Sequence, residues 1–326
     1  MTALLEVEDL HVEFCTRDGV ARVLNGVGYH VDAGETLAVL GESGSGKSVT
    51  AQAVMGILDT PPAFVTRGAV RFHGEDLLAA TDERRREVRA EGIAMIFQDA
   101  LSALNPVFTV GFQIEEQLRL RRGMSRADAR ARAIELLDLV RIPHARQRVR
   151  EYPHQFSGGM RQRAMIAMSL ALDPEVLIAD EPTTALDVTV QAQIMDLLAE
   201  IQRERHMALI LITHDLGVVA EVADRIVVMY AGRIVEQADA LSLFRNPGHP
   251  YTAALMRSLP RIDAKGTALE TIKGLPPSLL RIPPGCPFHP RCPRAEDVCK
   301  AEVPGQARLG LGRTSACHFA EEVVRG

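Results

Sequence analysis

Short apolar runs recur along this chain, and helical patterns separate several of them. Leu37-Ala38-Val39-Leu40, Ile93 to Phe97, Val176 to Ala179 and Leu209 to Ile212 are continuous apolar stretches of strand length. Buried parallel strands read this way, and their alternation with helical segments predicts an α/β sheet. The start differs. Leu5 to Phe14 alternates for much of its length like a half-exposed strand, and Asp18-Gly19 predicts a hairpin turn leading to the segment around Val23 and Leu24.

Between Gln98 and Ser157 the pattern turns helical. Ser125-Arg126-Ala127-Asp128 predicts a capped helix start with an acidic group at its positive end. Ala133, Leu136, Leu137 and Val140 then share one face, and Pro143 is expected to end or kink the element. This predicts a helical subdomain inserted into a sheet-bearing core. Further on, Ile226 to Tyr230 and Arg233 to Glu236 predict paired strands joined at Ala231-Gly232. From Asn246 onward Pro and Gly become dense, so the tail reads as an appendix ordered by docking or by a metal.

At 326 residues the chain exceeds the usual size of one core, which predicts two domains or a domain with appendices. The net charge of −5 argues against a nucleic-acid binder that works by charge alone. Arg84-Arg85-Arg86 and the Arg119, Arg121, Arg122 cluster read as solvated helix faces. No apolar stretch approaches the roughly 20 residues that span a bilayer, and Glu6, Glu8 and Asp9 stand where a secretory signal needs positive charge. A cytosolic chain, or one held at a membrane by partners, is expected. Cys15 stands alone, while Cys286, Cys292, Cys299 and Cys317 fall within the last 41 residues. In a reducing compartment such a cluster points to metal more readily than to disulfides.

The candidate chemistry lies in three segments. Gly41-Glu42-Ser43-Gly44-Ser45-Gly46-Lys47-Ser48 follows one buried strand and precedes a helical segment, the context a phosphate-binding loop needs. Its glycines let backbone N–H groups turn toward phosphate oxygens, Lys47 can reach β- and γ-phosphates, and Ser48 can ligate Mg²⁺. Asp180, at the tip of a buried strand, is a second Mg²⁺ ligand, and Glu181 beside it is a candidate base for the attacking water. Ser157-Gly158-Gly159-Met160-Arg161-Gln162, beginning 23 residues before Asp180, presents backbone donors at a predicted helix start.

These segments resemble the ATP-binding-cassette family, together with Gln98, Ile178 to Thr183, Ala185-Leu186-Asp187 and Thr213-His214-Asp215, all in the family's order. The resemblance implies a P-loop NTPase (RecA-like) core with an N-terminal antiparallel β subdomain, an inserted helical subdomain and a Pro-rich C-terminal extension. The implied boundaries are 1–98 and 158–245 for the core, 99–157 for the helical part and 246–326 for the extension. It also implies that ATP is bound by the 41–48 loop and Val49, with Phe14 as the adenine-stacking residue. Gln98 is the Mg²⁺-linked glutamine, His214 the γ-phosphate switch and Asp187 an interface residue. Ser157, Gly158, Gly159 and Met160 face the nucleotide of an opposite subunit. Phe156 and Met160 depart from the family's Leu and Gln at these positions.

Asn246-Pro247-Gly248-His249-Pro250-Tyr251-Thr252 and Gly285 to Pro293 resemble the extension of ATPase subunits from bacterial oligopeptide and dipeptide importers. The partners implied are a second, homologous ATPase subunit, two transmembrane permease subunits and an extracytoplasmic binding protein. The place implied is the cytoplasmic face of the cell membrane. A soluble cassette ATPase acting on ribosomes or DNA is the alternative. The cysteine spacing C-x5-C-x6-C-x17-C lacks the tight knuckle of structural zinc sites. Four thiolates suit a [4Fe–4S] cluster, which the resemblance also implies; zinc, with His289 or His318, is the alternative.

Overall fold

The computed structural model describes residues 3–184, 186–258 and 272–325. In chain order the elements begin with β1 (Leu5–Thr16), β2 (Gly19–Val31), β3 (Thr36–Leu40), α1 (Lys47–Met55), β4 (Ala63–Phe72) and β5 (Glu75–Asp76). Next come α2 (Asp82–Glu91), β6 (Ile93–Ile96), α3 (Ala100–Ala103), α4 (Val110–Arg122), α5 (Arg126–Leu139), α6 (Ala145–Arg148) and α7 (Gly158–Ser169). Then follow β7 (Val176–Asp180), α8 (Val188–Arg205), β8 (Ala208–Ile212), α9 (Leu216–Val222), β9 (Arg225–Tyr230) and β10 (Arg233–Asp239). The tail holds α10 (Ala240–Arg245), α11 (Pro250–Arg257), α12 (Asp297–Ala301), β11 (Ala307–Gly310), β12 (Arg313–Ser315) and α13 (Ala320–Arg325).

The chain divides into two compact units. One comprises residues 1–31, 35–79 and 212–326; the other comprises 32–34 and 80–211. In the first unit β2, β1, β4 and β5 form an antiparallel sheet in that order. The hairpin expected at Asp18-Gly19 is present, with Thr16 opposite Gly19. Strands β11, β12, β10, β9 and β3 lie side by side in that order, with β3 and β9 parallel. Every residue of β3 is buried, as its unbroken apolar run requires. The β9–β10 turn has positive φ at Ala231 (47°) and Gly232 (74°), the handedness a two-residue hairpin favours. A Cβ on Gly232 would lie 2.3 Å from the Val23 carbonyl oxygen, so no other residue fits there.

The tail docks by hydrogen bonding and burial. Its β12 pairs with β10 through Glu236↔Ser315 and Gln237↔Thr314. The Glu236 carboxylate, fully buried, accepts from the amides of Gly248 (2.6 Å) and His249 (2.9 Å) and from Arg313 (3.3 Å). Burial nevertheless raises its pKa, with these bonds opposing.

In the second unit β8, β7 and β6 are neighbours in that order, with β6 and β7 parallel. Strand β6 stops at Ile96, one residue before the apolar run ends, and Phe97 is exposed. Helix α5 starts as expected: the Ser125 hydroxyl accepts from the Asp128 amide, and Ala133, Leu136, Leu137 and Val140 are fully buried. It ends before Pro143, at Leu139, and Arg141 takes a left-handed φ of 59°. Helix α4 meets the segment after α6 so closely that the Val110 and Gly111 amides donate to the carbonyls of Glu151 (2.9 Å) and Val149 (3.0 Å).

Candidate nucleotide site

The first unit carries the candidate phosphate loop. Strand β3 ends at Leu40 and α1 begins at Lys47, with Gly46 at its N-terminus and no side chain capping its first amides. Gly41 (φ 155°), Gly44 (78°) and Gly46 (104°) reverse the chain between them. A Cβ on Gly41 would lie 2.3 Å from the Met229 carbonyl, so glycine is obligatory there. Around Gly44 nothing lies within 4 Å of a Cβ, and Ser43 and Gly44 are exposed. Lys47 is buried and its Nζ donates to the carbonyls of Gly41 (2.8 Å) and Glu42 (3.1 Å). Ser48 and Val49 are half-buried on the first turn of α1.

The residues fit a triphosphate with its Mg²⁺. A helix N-terminus without a side-chain cap, an ammonium and a hydroxyl are the kinds of donor that anionic oxygens take. Among the described residues the Ser45 hydroxyl is buried without a hydrogen-bond partner, a group whose cost a phosphate oxygen would relieve.

His214, also in the first unit, is exposed on the segment after β8. That segment is tied to β3 by the Thr213 amide, which donates to the Val39 carbonyl at 3.4 Å. Asp215 caps α9 through the amides of Gly217 (2.9 Å) and Val218 (3.3 Å). Phe14 is half-buried in β1, opposite Ala21 and Ala63.

The second unit carries the acidic pair. Asp180 closes β7 and is buried, while Glu181 turns into left-handed backbone at φ 45°, a conformation a non-glycine residue adopts only when its surroundings impose it. The Gln98 amide and the Thr184 hydroxyl both donate to Glu181 Oε2 at 2.9 Å. Two donors on one oxygen fix the carboxylate's orientation, which a base acting on water requires.

Ser157 caps α7, its hydroxyl accepting from the Met160 amide at 3.3 Å. Asp187 caps α8 through the Val190 amide at 2.9 Å. The two helix starts are adjacent: a Cβ on Gly159 would come 2.9 Å from Val190 Cγ1, and one on Gly158 3.7 Å from Leu186. Ala185 lies outside the described residues.

The cysteine tail does not bear out its metal reading. Among the described residues, no group of three or more His, Cys, Asp or Glu side chains is placed to hold a metal ion. The [4Fe–4S] cluster, the expectation of a metal-binding tail and the zinc alternative are therefore corrected. The four thiols line a small apolar pocket with Phe288 and Phe319, and burial pushes Cys317 up to about 11 and raises Cys286 and Cys292. Aromatic packing orders this region instead. Phe288 is buried against the rings of Tyr230, Tyr251 and His249, at centroid separations of 5.2, 5.3 and 5.9 Å.

Two residues that sequence reasoning missed touch the loop itself. The Glu42 amide donates to the Tyr251 hydroxyl at 2.8 Å, and its carboxylate takes both Arg291 Nη1 (2.6 Å) and Nη2 (2.9 Å). Both lie in the segments carrying the importer resemblance, which was the available signal.

A model of the ABC transporter family matches residues 24–184, and one of the oligopeptide/dipeptide transporter C-terminal region matches residues 235–299. The oligopeptide transport ATP-binding protein OppD of Salmonella typhimurium is 52% identical over 314 residues, covering 96% of this chain and 93% of that protein. The chain belongs to the ABC transporter ATP-binding family. Another member, the dipeptide transport ATP-binding protein DppD of Bacillus subtilis, is 49% identical over 99% of this chain and 96% of its own. The solved ABC cassette MJ0796, in a dimeric post-hydrolysis state bound to ADP and Pi, aligns with TM-score 0.65 and 26% identity. That alignment covers 72% of this chain and 98% of MJ0796. The cassette cbiO1 of Clostridium perfringens aligns with TM-score 0.64 and 29% identity over 75% of this chain and 91% of its own.

Proposed function

We propose that this chain is the ATP-hydrolysing subunit of a peptide importer, working at the cytoplasmic face of the cell membrane. The observation that carries it is the likeness to oligopeptide and dipeptide transport ATP-binding proteins along nearly the whole chain, C-terminal region included. Among the described residues no helix is long and apolar enough to cross a membrane, so permease subunits would supply the path. The partners in this reading are a second, homologous ATPase, two permeases and an extracytoplasmic binding protein. The domain boundaries are those drawn from the sequence: 1–98 with 158–245, 99–157, and 246–326.

In this reading the 41–48 loop and Val49 hold the phosphates, with Lys47 on the β- and γ-oxygens and Phe14 against the adenine. Ser48, Gln98 and Asp180 would hold Mg²⁺, which when bound would neutralise charge on the phosphate oxygens. Glu181 takes the proton of the attacking water, and Gln98 and Thr184 keep its carboxylate aimed. His214 senses the γ-phosphate. Ser157, Gly158, Gly159 and Met160 offer the amides of the α7 start to the nucleotide of a facing cassette, beside Asp187. ATP thus joins two cassettes, hydrolysis releases them, and Gln98 passes the change to the permeases.

The decisive experiment is purification from membranes with the associated subunits, followed by ATPase assay in proteoliposomes. Peptide-dependent hydrolysis with co-purifying integral membrane proteins is expected. Co-purification with ribosomes, or an unpaired chain hydrolysing ATP at full rate at any protein concentration, would overturn the reading.

A further inference from the structure

The C-terminal region reaches into the phosphate loop at one residue, Glu42. Arg291 grips its carboxylate with two parallel bonds, and the Arg291 side chain is only 5% exposed. Such a fork fixes direction as well as distance. The guanidinium is itself held from several sides. Its Nε donates to the Lys273 carbonyl at 3.1 Å, Nη1 to the Tyr230 hydroxyl at 3.3 Å, and it lies over the Tyr230 ring at 5.8 Å. Arg291 sits one residue before Cys292 on a turn anchored by Phe288 and by the Cys286 amide, which donates to the Cys299 carbonyl at 2.8 Å. Tyr251 holds the same residue by its backbone amide.

Glu42 is in turn where the loop's own bonds meet. Its carbonyl accepts from the Ser45 amide (3.2 Å) and from Lys47 Nζ (3.1 Å). A restraint on Glu42 therefore acts on the resting place of the lysine and on the turn carrying Ser45.

We infer that Arg291 and Tyr251 are positioning residues for nucleotide binding, presetting the phosphate loop through Glu42. The inference rests on the reading of residues 41–48 as the ATP site. Holding the loop in its binding shape before ATP arrives removes an ordering cost from binding. It acts on affinity rather than on the chemical step.

The test measures ATP affinity of the full chain by titration, and KM and kcat of the purified transporter. Arg291→Met and Glu42→Gln are each expected to weaken ATP binding about tenfold, and the double variant to be no worse than either single one, because both remove one pair. In Arg291→Met KM should rise while kcat stays within about twofold, and Arg291→Lys should recover part of the loss. Tyr251→Phe keeps the ring packing, removes the acceptor for the Glu42 amide and should weaken binding about fivefold; it serves if Arg291→Met does not fold. Wild-type affinity in Glu42→Gln and Tyr251→Phe would overturn the inference, as would losses that multiply in the double variant. Lys47→Ala separates the two levels. Unchanged affinity there sinks the ATP-site reading, whereas a loss there without one in the Glu42, Tyr251 and Arg291 variants sinks only the positioning role.

Discussion

Gln98 donates its amide to the carboxylate of Glu181 at 2.9 Å, across 83 residues of sequence. The bond joins the second residue after β6 to the residue following β7, two parallel neighbours, so sheet register sets it. A group assigned to holding Mg²⁺ therefore touches the group assigned to activating water.

Glu181→Gln preserves shape and removes the basic oxygen. Turnover is expected to fall by about 10²–10⁴ while ATP affinity stays near wild type. Single-turnover hydrolysis alongside equilibrium binding measures both; undiminished turnover would show that another group is the base.

Lys47→Ala removes a buried ammonium bonded to the carbonyls of Gly41 and Glu42. ATP affinity should fall by at least about tenfold, equivalent to roughly 1.4 kcal/mol. Calorimetric titration with ATP reads this directly.

His249 should give the fold a measurable acid sensitivity. Burial lowers its imidazole to about 3 from 6.5, with a bond to the Ala316 carbonyl opposing. The neutral ring is built in, since Nδ1 accepts from the Tyr251 amide at 3.0 Å. Because the folded value is depressed, stability is full above about pH 6.5 and is lost as pH falls, when only the unfolded chain takes up the proton. One such group contributes about 1.4 kcal/mol per pH unit, or roughly 2 kcal/mol between pH 6.5 and 5. Glu236, raised by burial, works in the opposite sense, so the readout is the difference from His249→Gln in urea unfolding across this window. Identical pH slopes in the two proteins would contradict the assignment.

Gly111→Ala should destabilise the α4 region by about 1–3 kcal/mol, as overpacking does. A Cβ there would lie 2.3 Å from both the Val149 carbonyl oxygen and its Cγ2, and backbone cannot step aside cheaply. The melting temperature measures it; an unchanged value would mean that the 149–151 segment relaxes freely.

The elements visible in the sequence were those specified locally. The β3 and β7 runs, the Asp18-Gly19 hairpin and the Ser125 cap each depend on a few consecutive residues, and all appear. Strands β11 and β12 were not visible, being four and three residues long and separated by a Gly-containing turn. The Glu42 contacts with Tyr251 and Arg291 span 209 and 249 residues, a separation that no local pattern encodes. The metal reading of the tail failed for a related reason. Spacing counts thiols but does not place them, and among the described residues no three such side chains are set to hold one ion.

The Tyr251–Glu42 bond also bears on which version of the protein is worth studying. A chain truncated before Tyr251 would lack both Tyr251 and Arg291, leaving an amide and a carboxylate of the candidate phosphate loop without these partners. Affinities measured on such a shortened version would describe a slacker loop than the one this chain carries.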